Sequence, residues 1–329
     1  MAPQEIFSLT GKNVLIVTHR SADLDAIASA EILRLELMER NIVEIAIPGH
    51  VNRQAKRIAE VLEIPYSLST NFSKFDVLAV VDLNSYSMLD NFAEEIKNFK
   101  GKKFLFDHHT ASGENIVDKE NSLVIEDAAS TTEVIWHLFS DANKKISEKQ
   151  ALLTMLGIIS DTDRFAFSSR NTFDIMSDAL KISRMDFNQV IKIIKDEKTF
   201  SERVATLKAM QKTKLVKIKD VLIAKSYTNA FEAQVAEALV ACGADIAIVG
   251  GITEGKARVS GRADITSAEK YNLDLASDVF QRLSSYFKGQ GGGHSTAASF
   301  NGEAKDLEKI IEKCVEIISE KVRNEKKIC

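Results

Sequence analysis

The apolar runs NVLIVT (13–18), IVEIAI (42–47), DVLAVV (76–81) and KFLF (103–106) constrain the fold of this chain more than any other feature. A strand with one wet face alternates polar and apolar residues, whereas a strand buried on both faces reads as a short continuous apolar run. Helical patterns lie between these runs, over 24–40 and 51–62. Strands of this kind separated by helices predict an α/β fold whose mostly parallel sheet is covered on both faces. Two more helices are expected at Ser130–Asp141 and Ser147–Ile159, each opening at a serine suited to cap the first free amides.

At 329 residues the chain is long enough for two cores. From Asp186 to about Leu215 it is charged and periodic, with no clear strand, and reads as helices leading out of the first core. A second, smaller α/β unit then follows. Strands are expected at Val221–Lys225, Asp245–Val249 and Lys256–Gly261, and helices at Phe231–Cys242, Leu273–Leu283 and Leu307–Lys327. The expected division is 1–190, a helical linker over 191–215, and 216–329.

The composition excludes several classes. Net charge is −4, so no global basic field attracts long duplex DNA. Cys242, Cys314 and Cys329 are widely spaced and form no CxxC pair, which supports neither a disulfide framework nor a thiolate zinc site. The stretch MAPQEIFSLTGKNVLIV lacks the pattern of a signal peptide, and no run approaches a membrane span of roughly 18 apolar residues. A cytoplasmic protein with no membrane association is the expectation.

Polar residues fall where the predicted strands end. His19, Asp23 and Asp25 follow the first run, in HRSADLDA. Asp82 follows DVLAVV, and Asp107, His108 and His109 follow KFLF. Asp161 and Asp163 follow the apolar helix end LLTMLGIIS. In a parallel sheet the carboxyl ends of the strands share one edge, and the loops there form the ligand crevice. The first three clusters should therefore meet, and the fourth can join them. Carboxylates and imidazoles suit manganese, magnesium or zinc, and one carboxylate can bridge two ions. Singly, each residue has a plainer reading: Asp23 or Asp25 as a helix cap, Asp82 and the His108–His109 pair as polar turns.

The stretch GQGGGHSTAAS (289–299) is a second signal. Gly291, Gly292 and Gly293 can expose backbone amides as an anion nest or form a flexible turn. His294, Ser295 and Thr296 offer further donors. Arg258 and Arg262 lie in KARVSGRAD, and Arg262 is a candidate phosphate clamp because guanidinium presents a fixed fork of donors. The lysine-rich KTKLVKIKD reads as a solvated face. Trp136 is expected to pack in the core, while Phe165 and Phe167 can pack or face a base.

The ordered set HRSADLD, VVDLNS, FDHH, SDTDRF and GGGH resembles the DHH phosphoesterase superfamily over nearly the whole chain. The similarity is to two-domain members, with a DHH catalytic domain (1–190) and a smaller DHHA1 substrate-binding domain (216–329) carrying a GGGH loop. The branch of oligoribonucleases and 3′-phosphoadenosine-5′-phosphate (pAp) phosphatases is nearer than the large RecJ exonucleases. The resemblance implies one metal held by His19, Asp23 and Asp82, and a second held by Asp25, Asp82, His108 and Asp161. It implies that His109 faces the substrate phosphate, with Asp107 and His108 completing the catalytic group. It also implies a substrate between the domains, its far part bound by Arg262, Gly291, Gly292, Gly293 and His294, with Arg164 as a further contact. Manganese is the implied cofactor, with magnesium or cobalt as alternatives. The implied reaction is hydrolysis of short nucleotide phosphoesters: short single-stranded RNA, linear dinucleotides, cyclic di-AMP or pAp. An inorganic pyrophosphatase or polyphosphatase, and a non-catalytic nucleotide-binding regulator, are the rival readings. The oligomeric state is open, a homodimer included. Asp163 and Ser299 stand where glycines are usual in the family pattern.

Overall fold

A computed structural model describes residues 2–110, 114–195 and 198–324. The chain forms two compact units, Met1–Asp196 and Glu197–Cys329. Together they give a two-domain α/β architecture, the first sheet wholly parallel and the second mixed.

The first unit runs β1 (Asn13–Val17), β2 (Ser21–Ala22), α1 (Leu24–Leu37), β3 (Ile42–Ala46), β4 (His50–Val51), α2 (Arg53–Val61), β5 (Val77–Val81) and α3 (Ala93–Asn98). It continues through β6 (Lys102–Asp107), β7 (Ser122–Val124), α4 (Thr131–Asp141), α5 (Glu148–Asp161), α6 (Arg170–Ser183) and α7 (Phe187–Ile194). The main sheet has the order β3-β1-β5-β6-β7 with every neighbour parallel. The four expected runs form β1, β3, β5 and β6. Strand β7 was not expected, because SLV is too short to carry a pattern. Alternate residues of β1 explain why its sequence does not alternate: Val14 and Ile16 enter one core with α1 and α5, while Leu15 and Val17 enter the other with Phe72, Phe92 and Ile96. Helix α1 is buried along most of its length, and its Ala26, Ala28 and Ala30 leave room for close packing. Trp136 packs against the first of these cores.

The second unit runs α8 (Phe200–Gln211), β8 (Lys214–Ile218), β9 (Val221–Tyr227), α9 (Glu232–Ala241), β10 (Ile246–Thr253), β11 (Lys256–Ala263), α10 (Ile265–Lys270), β12 (Gly289–Gly293), β13 (Ala297–Glu303) and α11 (Leu307–Asn324). Its sheet has the order β12-β13-β11-β10-β9-β8, in which β9 and β10 are parallel and the other pairs antiparallel. One face packs Ile248, Val259 and Phe300 against Ile310, Ile311 and Cys314 of α11. On the other face Ala224, Ala247 and Val249 meet Ala209 of α8 and Val235, Ala236 and Leu239 of α9.

Three expectations are corrected here. The helical reading that ran to about Leu215 ends instead at Gln211, and Lys214–Ile218 is an exposed edge strand whose lysines at 214 and 217 are the usual protection of an unpaired edge. Leu273–Leu283 is not one α-helix but a π-helical turn (Leu275–Phe280) followed by a 3-10 turn (Arg282–Ser285). The glycine run is neither a nest nor a flexible turn. It is the edge strand β12, and of Gly291, Gly292 and Gly293 only Gly293 has a positive φ, 144°. The end of the expected last helix, 325–327, and Cys329 lie outside the described residues.

Candidate metal centre

Chain direction across the first sheet reverses at β1, with β3 on one side and β5 on the other, and loops leaving such a switch point diverge to open a crevice. His19 lies just past β1, Asp82 directly follows β5, and Asp107 ends β6 ahead of His108 and His109. Asp23 is the N-cap of α1 and accepts from the Ala26 amide at 3.1 Å. Asp161 is the last residue of α5.

Their donor atoms converge. His19 Nε2 lies 3.5 Å from Asp82 Oδ2 and 3.9 Å from Asp23 Oδ1. His108 Nε2 lies 3.1 Å from Asp161 Oδ2 and 3.8 Å from Asp82 Oδ1. His109 Nδ1 is also 3.8 Å from Asp82 Oδ1. The residues form overlapping groups, His19–Asp23–Asp82, Asp25–His108–Asp161 and Asp82–His108–His109, within each of which ligand atoms lie inside 4.8 Å of one another. Asp82 turns a different oxygen to each side. It sits at φ 61°, a left-handed conformation uncommon outside glycine and often found at functional sites. Its amide donates to Phe106 O at 3.0 Å and its Oδ1 accepts from Thr131 Oγ1 at 2.8 Å.

Asp25 is fully buried and is held by the start of α4. Its Oδ2 accepts from the Thr131 amide at 2.6 Å, and its Oδ1 from the Thr132 amide at 3.1 Å and the Thr132 hydroxyl at 2.8 Å. A helix N-terminus favours such a carboxylate because its first amides lack partners within the helix. Gly157 of α5 makes this packing possible: a Cβ there would lie 2.5 Å from both Asp25 Oδ1 and Thr132 Oγ1. Sequence reasoning assigned no role to Thr131, Thr132 or Gly157. The available signal was the S-x-x-E run Ser130–Glu133, a helix-start signature, in which Ser130 Oγ accepts from the Glu133 amide at 3.2 Å.

The centre is electrostatically frustrated as a cluster of protein groups alone. Burial, then the neighbouring Asp82 and Asp161 carboxylates, hold the Asp25 pKa well above the ordinary carboxylate range. Burial also raises Asp82, against the opposing hydrogen bond from His19. Burial alone would lower the His19 imidazole, but Asp23 and Asp82 outweigh it and hold its pKa at about 10. His108 follows the same pattern: burial is outweighed by Asp161, Asp25 and Asp82, and its pKa rises to about 9. Divalent cations relieve this crowding of carboxylates. The histidine geometry fits them too. His108 Nδ1 is 3.2 Å from Ala128 O, so in the neutral imidazole that binds a metal a proton kept there leaves the lone pair on Nε2, which is buried and without an aligned hydrogen-bond partner among the described residues. A metal-bound imidazole normally has its other nitrogen fixed in this way. Fully buried Asp107 supports the pair, its Oδ1 accepting from the His108 amide at 2.9 Å and lying 2.8 Å from His109 Nδ1.

In the second unit, a groove of about 330 Å³ is lined by Arg258, Arg262, Gly292, Gly293, His294 and Ser299, among others. Arg262 is oriented by Glu237, whose Oε1 is 3.3 Å from Nε, and by Gly261 O, 3.0 Å from Nη1. Gly291 does not line the groove. Its missing Cβ faces the Phe280 carbonyl, which a side chain would meet at 2.0 Å, so this glycine serves close packing. The residues that line this groove belong to the second unit. In the first unit Arg164 lies in a left-handed turn after α5, with φ values of 44°, 56° and 74° at Asp163, Arg164 and Phe165, and pairs with Asp163 at 3.8 Å. Phe165 stacks on Phe173 at 5.4 Å between ring centroids, while Phe167 is exposed.

Residues 13–158 match the DHH family, N-terminal domain, and residues 221–320 match the DHHA1 domain. An uncharacterised protein of Methanocaldococcus jannaschii is 25% identical over 313 residues, covering 92% of each chain. The A-adding tRNA nucleotidyltransferase of Geobacter sulfurreducens is 27% identical over 144 residues, which are 44% of this chain and 16% of that protein. Among solved structures, an exopolyphosphatase-related protein from Bacteroides fragilis aligns with a TM-score of 0.70 at 18% identity, covering 97% of this chain and 96% of the other. RecJ from Thermus thermophilus in complex with Mn2+ aligns with a TM-score of 0.51 at 12% identity, covering 99% of this chain and 55% of the other. At such identities these structures speak for the fold alone. Among the described residues no helix is long and apolar enough to cross a membrane. The two matched domains fall in order on the two units, the first on the sheet whose edge gathers the histidines and aspartates, and the chain belongs to the DHH phosphoesterase superfamily in its two-domain DHH–DHHA1 form.

Proposed function

We propose that the protein is a metal-dependent phosphoesterase that hydrolyses short nucleotide phosphoesters: short oligoribonucleotides, linear or cyclic dinucleotides, or pAp. The observation that carries this reading is the double engagement of Asp82, with Oδ2 near His19 and Oδ1 near His108 and His109. A carboxylate so placed suits a bridge between two cations. In this reading His19, Asp23 and Asp82 hold one ion, and Asp25, Asp82, His108 and Asp161 hold the other. Manganese is the proposed ion, with magnesium or cobalt as alternatives, because the donor set mixes carboxylates with imidazoles. When bound, such ions polarise phosphoryl oxygens and lower the pKa of an attacking water.

The chain's own groups do the rest. The hydrogen bond to Asp107 is the main cause that raises the His109 pKa. With Nδ1 held by Asp107, the Nε2–H is left to donate to an oxygen of the phosphoryl group as negative charge accumulates there. Thr131 orients Asp82, and Thr131 with Thr132 orients Asp25. Recognition is proposed for the second unit: Arg262, Gly292, Gly293 and His294 hold the nucleotide, and Gly291 keeps β12 seated against Phe280. Arg164, in its exposed turn, is a secondary contact. Net charge of −4 favours short substrates over long duplexes.

The test is product release by protein stripped of metal and then given manganese, with pAp, pApA, cyclic di-AMP, a 5-nucleotide RNA, a 24-nucleotide RNA and pyrophosphate. Manganese-dependent turnover of the short nucleotides is expected. Turnover of pyrophosphate alone overturns the nucleotide assignment. Silence across the panel with two metals bound replaces catalysis by a binding role.

A further inference from the structure

The groove at Arg262 and His294 does not stop there. Strand β11 carries Lys256, Arg258, Ser260 and Arg262 two residues apart, hence on one face of the sheet. Their register partners on β13 are Glu303, Asn301, Ser299 and Ala297. Strand β12 sets Gln290 opposite Asn301 and Gly292 opposite Ser299. The intervening residues Ala257, Val259, Ala298 and Phe300 belong to the core on the other face. The polar rungs are therefore continuous and follow one another at about 7 Å, the same-face repeat of a strand. Asn301 lines both the first groove and a second opening of about 650 Å³, which reaches Lys256, Lys288 and Lys305.

Cations outnumber carboxylates along this face, where Glu237 is paired with Arg262. Glu303 is the sole acidic residue lining the second opening, and two ammonium groups share it: Lys305 at 2.8 Å and Lys288 at 3.6 Å. Arg258 and Lys256 are exposed and have no ion-pair partner among the described residues. In a chain of net charge −4, such a local row of cations is a specific arrangement rather than part of a general basic field. The glycines matter in a second way: Gly292 has nothing within 4 Å of its Cβ position, so the face is open at mid-track.

Resting on the nucleotide reading above, we propose that this face is a track for a single-stranded oligonucleotide. Arg262 and His294 hold one phosphate, Arg258 with Asn301 holds another farther along, and Lys256 with Lys288 engages the end of the chain. A single strand bound through its backbone needs such a basic groove. A bare polyphosphate would also follow cations, but Ser260, Ser299, Asn301 and Gln290 interleave acceptors with donors. Sugar hydroxyls and bases can use those acceptors, and a chain of phosphates, which has no donors at neutral pH, cannot. The substrate class is thereby narrowed to oligonucleotides with several phosphates, ahead of pAp.

The deciding measurement is fluorescence anisotropy with labelled two- and five-nucleotide RNAs in EDTA, so that no turnover intervenes. The five-mer should bind the wild-type protein about tenfold more tightly than the two-mer. Arg258→Gln (R258Q) should remove most of that ratio, and Lys256→Gln (K256Q) part of it; both side chains are exposed, so the fold tolerates the changes. The slope of log K against log salt for the five-mer should fall in magnitude by roughly 0.7 in R258Q, the loss of one phosphate contact to a single strand. An unchanged ratio and slope in both variants overturns the track. Displacement of the five-mer by inorganic polyphosphate at lower concentration than by unlabelled RNA overturns the nucleic-acid assignment. A parallel turnover assay of the wild-type protein with manganese separates the two claims: hydrolysis of short nucleotides with no length ratio sinks the track alone, and a length ratio without hydrolysis sinks the enzyme alone.

Discussion

At the carboxyl edge of the first sheet, histidines and aspartates crowd within reach of a common centre, and Asp25, Asp82 and His108 are fixed by hydrogen bonds from elsewhere in the chain. In the second unit, Lys256, Arg258 and Arg262 stand apart along β11, with Lys288 and Lys305 beyond the ends of the neighbouring strands, and the backbone of β12 forms much of the wall. The first arrangement concentrates charge in a low-dielectric place, where each carboxylate raises its neighbours' pKa and a cation is strongly favoured. The second spreads charge over a wet surface, where single contacts are weak and several must act in series. In the proposed reading chemistry falls to one unit and recognition to the other, and the contrast sets the size of effect that each should show when disturbed.

The largest effect should follow Asp82→Ala. It removes the group shared by two ligand sets, and the loss of several kcal/mol of metal-borne stabilisation corresponds to at least about 10³-fold in turnover. Metal analysis should show reduced stoichiometry; turnover near the wild-type rate with full metal content would break the contrast outright. Thr131→Ala comes next. It deletes the 2.8 Å hydroxyl bond to Asp82 but keeps the amide bond to Asp25, and support groups of this kind are worth about 10–100-fold in metal affinity. A manganese titration that superimposes on the wild type would remove α4 from the account. His294→Ala should be milder, with KM for short nucleotides rising about tenfold, as for one lost charge-assisted or neutral hydrogen bond of about 1.4 kcal/mol, and kcat largely retained. A fall in kcat with KM constant would instead put His294 in the chemistry.

The remaining prediction concerns stability rather than turnover, as a dependence on pH. In metal-stripped protein His19 and His108 have pKa values of about 10 and 9, against 6.5 for a free imidazole. Their contribution is fully present below about pH 6.5 and is lost as pH rises through 9 to 10, because the folded state holds protons that the unfolded chain releases. The melting temperature of stripped protein should therefore fall between pH 7 and 10. Saturating manganese, which binds the deprotonated ligands, should offset that fall. A stripped protein whose melting temperature holds steady across this range would mean that the two imidazoles are not held by these carboxylates.

Much of the first unit was legible because its signals are side chains. Continuous apolar runs gave the buried strands, and carboxylates and imidazoles at their ends gave the centre, since a parallel sheet must bring those ends to one edge. Thr131 and Thr132 escaped notice because a threonine at a helix start usually does no more than close the helix; only the packing of α1 against α4 and α5 shows that these amides meet Asp25. Gly157 escaped for the opposite reason, since its role is the space left by an absent Cβ. The same blindness explains the second unit. A run of glycines has little strand propensity and reads as a loop, yet Gly289 and Gly291 lie where a Cβ would meet Asn301 O at 2.2 Å and Phe280 O at 2.0 Å. At 289, 291 and 293 strand β12 has glycine because neighbouring backbones come too close for a side chain, whereas Gly292 faces open space.

The amide protons of Thr131 and Thr132 are directed at the two oxygens of Asp25, so their resonance frequencies follow the charge on that carboxylate. Neutralising that charge, by a proton or by a cation, should shift both signals. Two backbone peaks in a nitrogen–proton spectrum thus form a gauge inside the fold. They make it possible to count the loading of the centre in solution, residue by residue, with no substrate present and no reaction running.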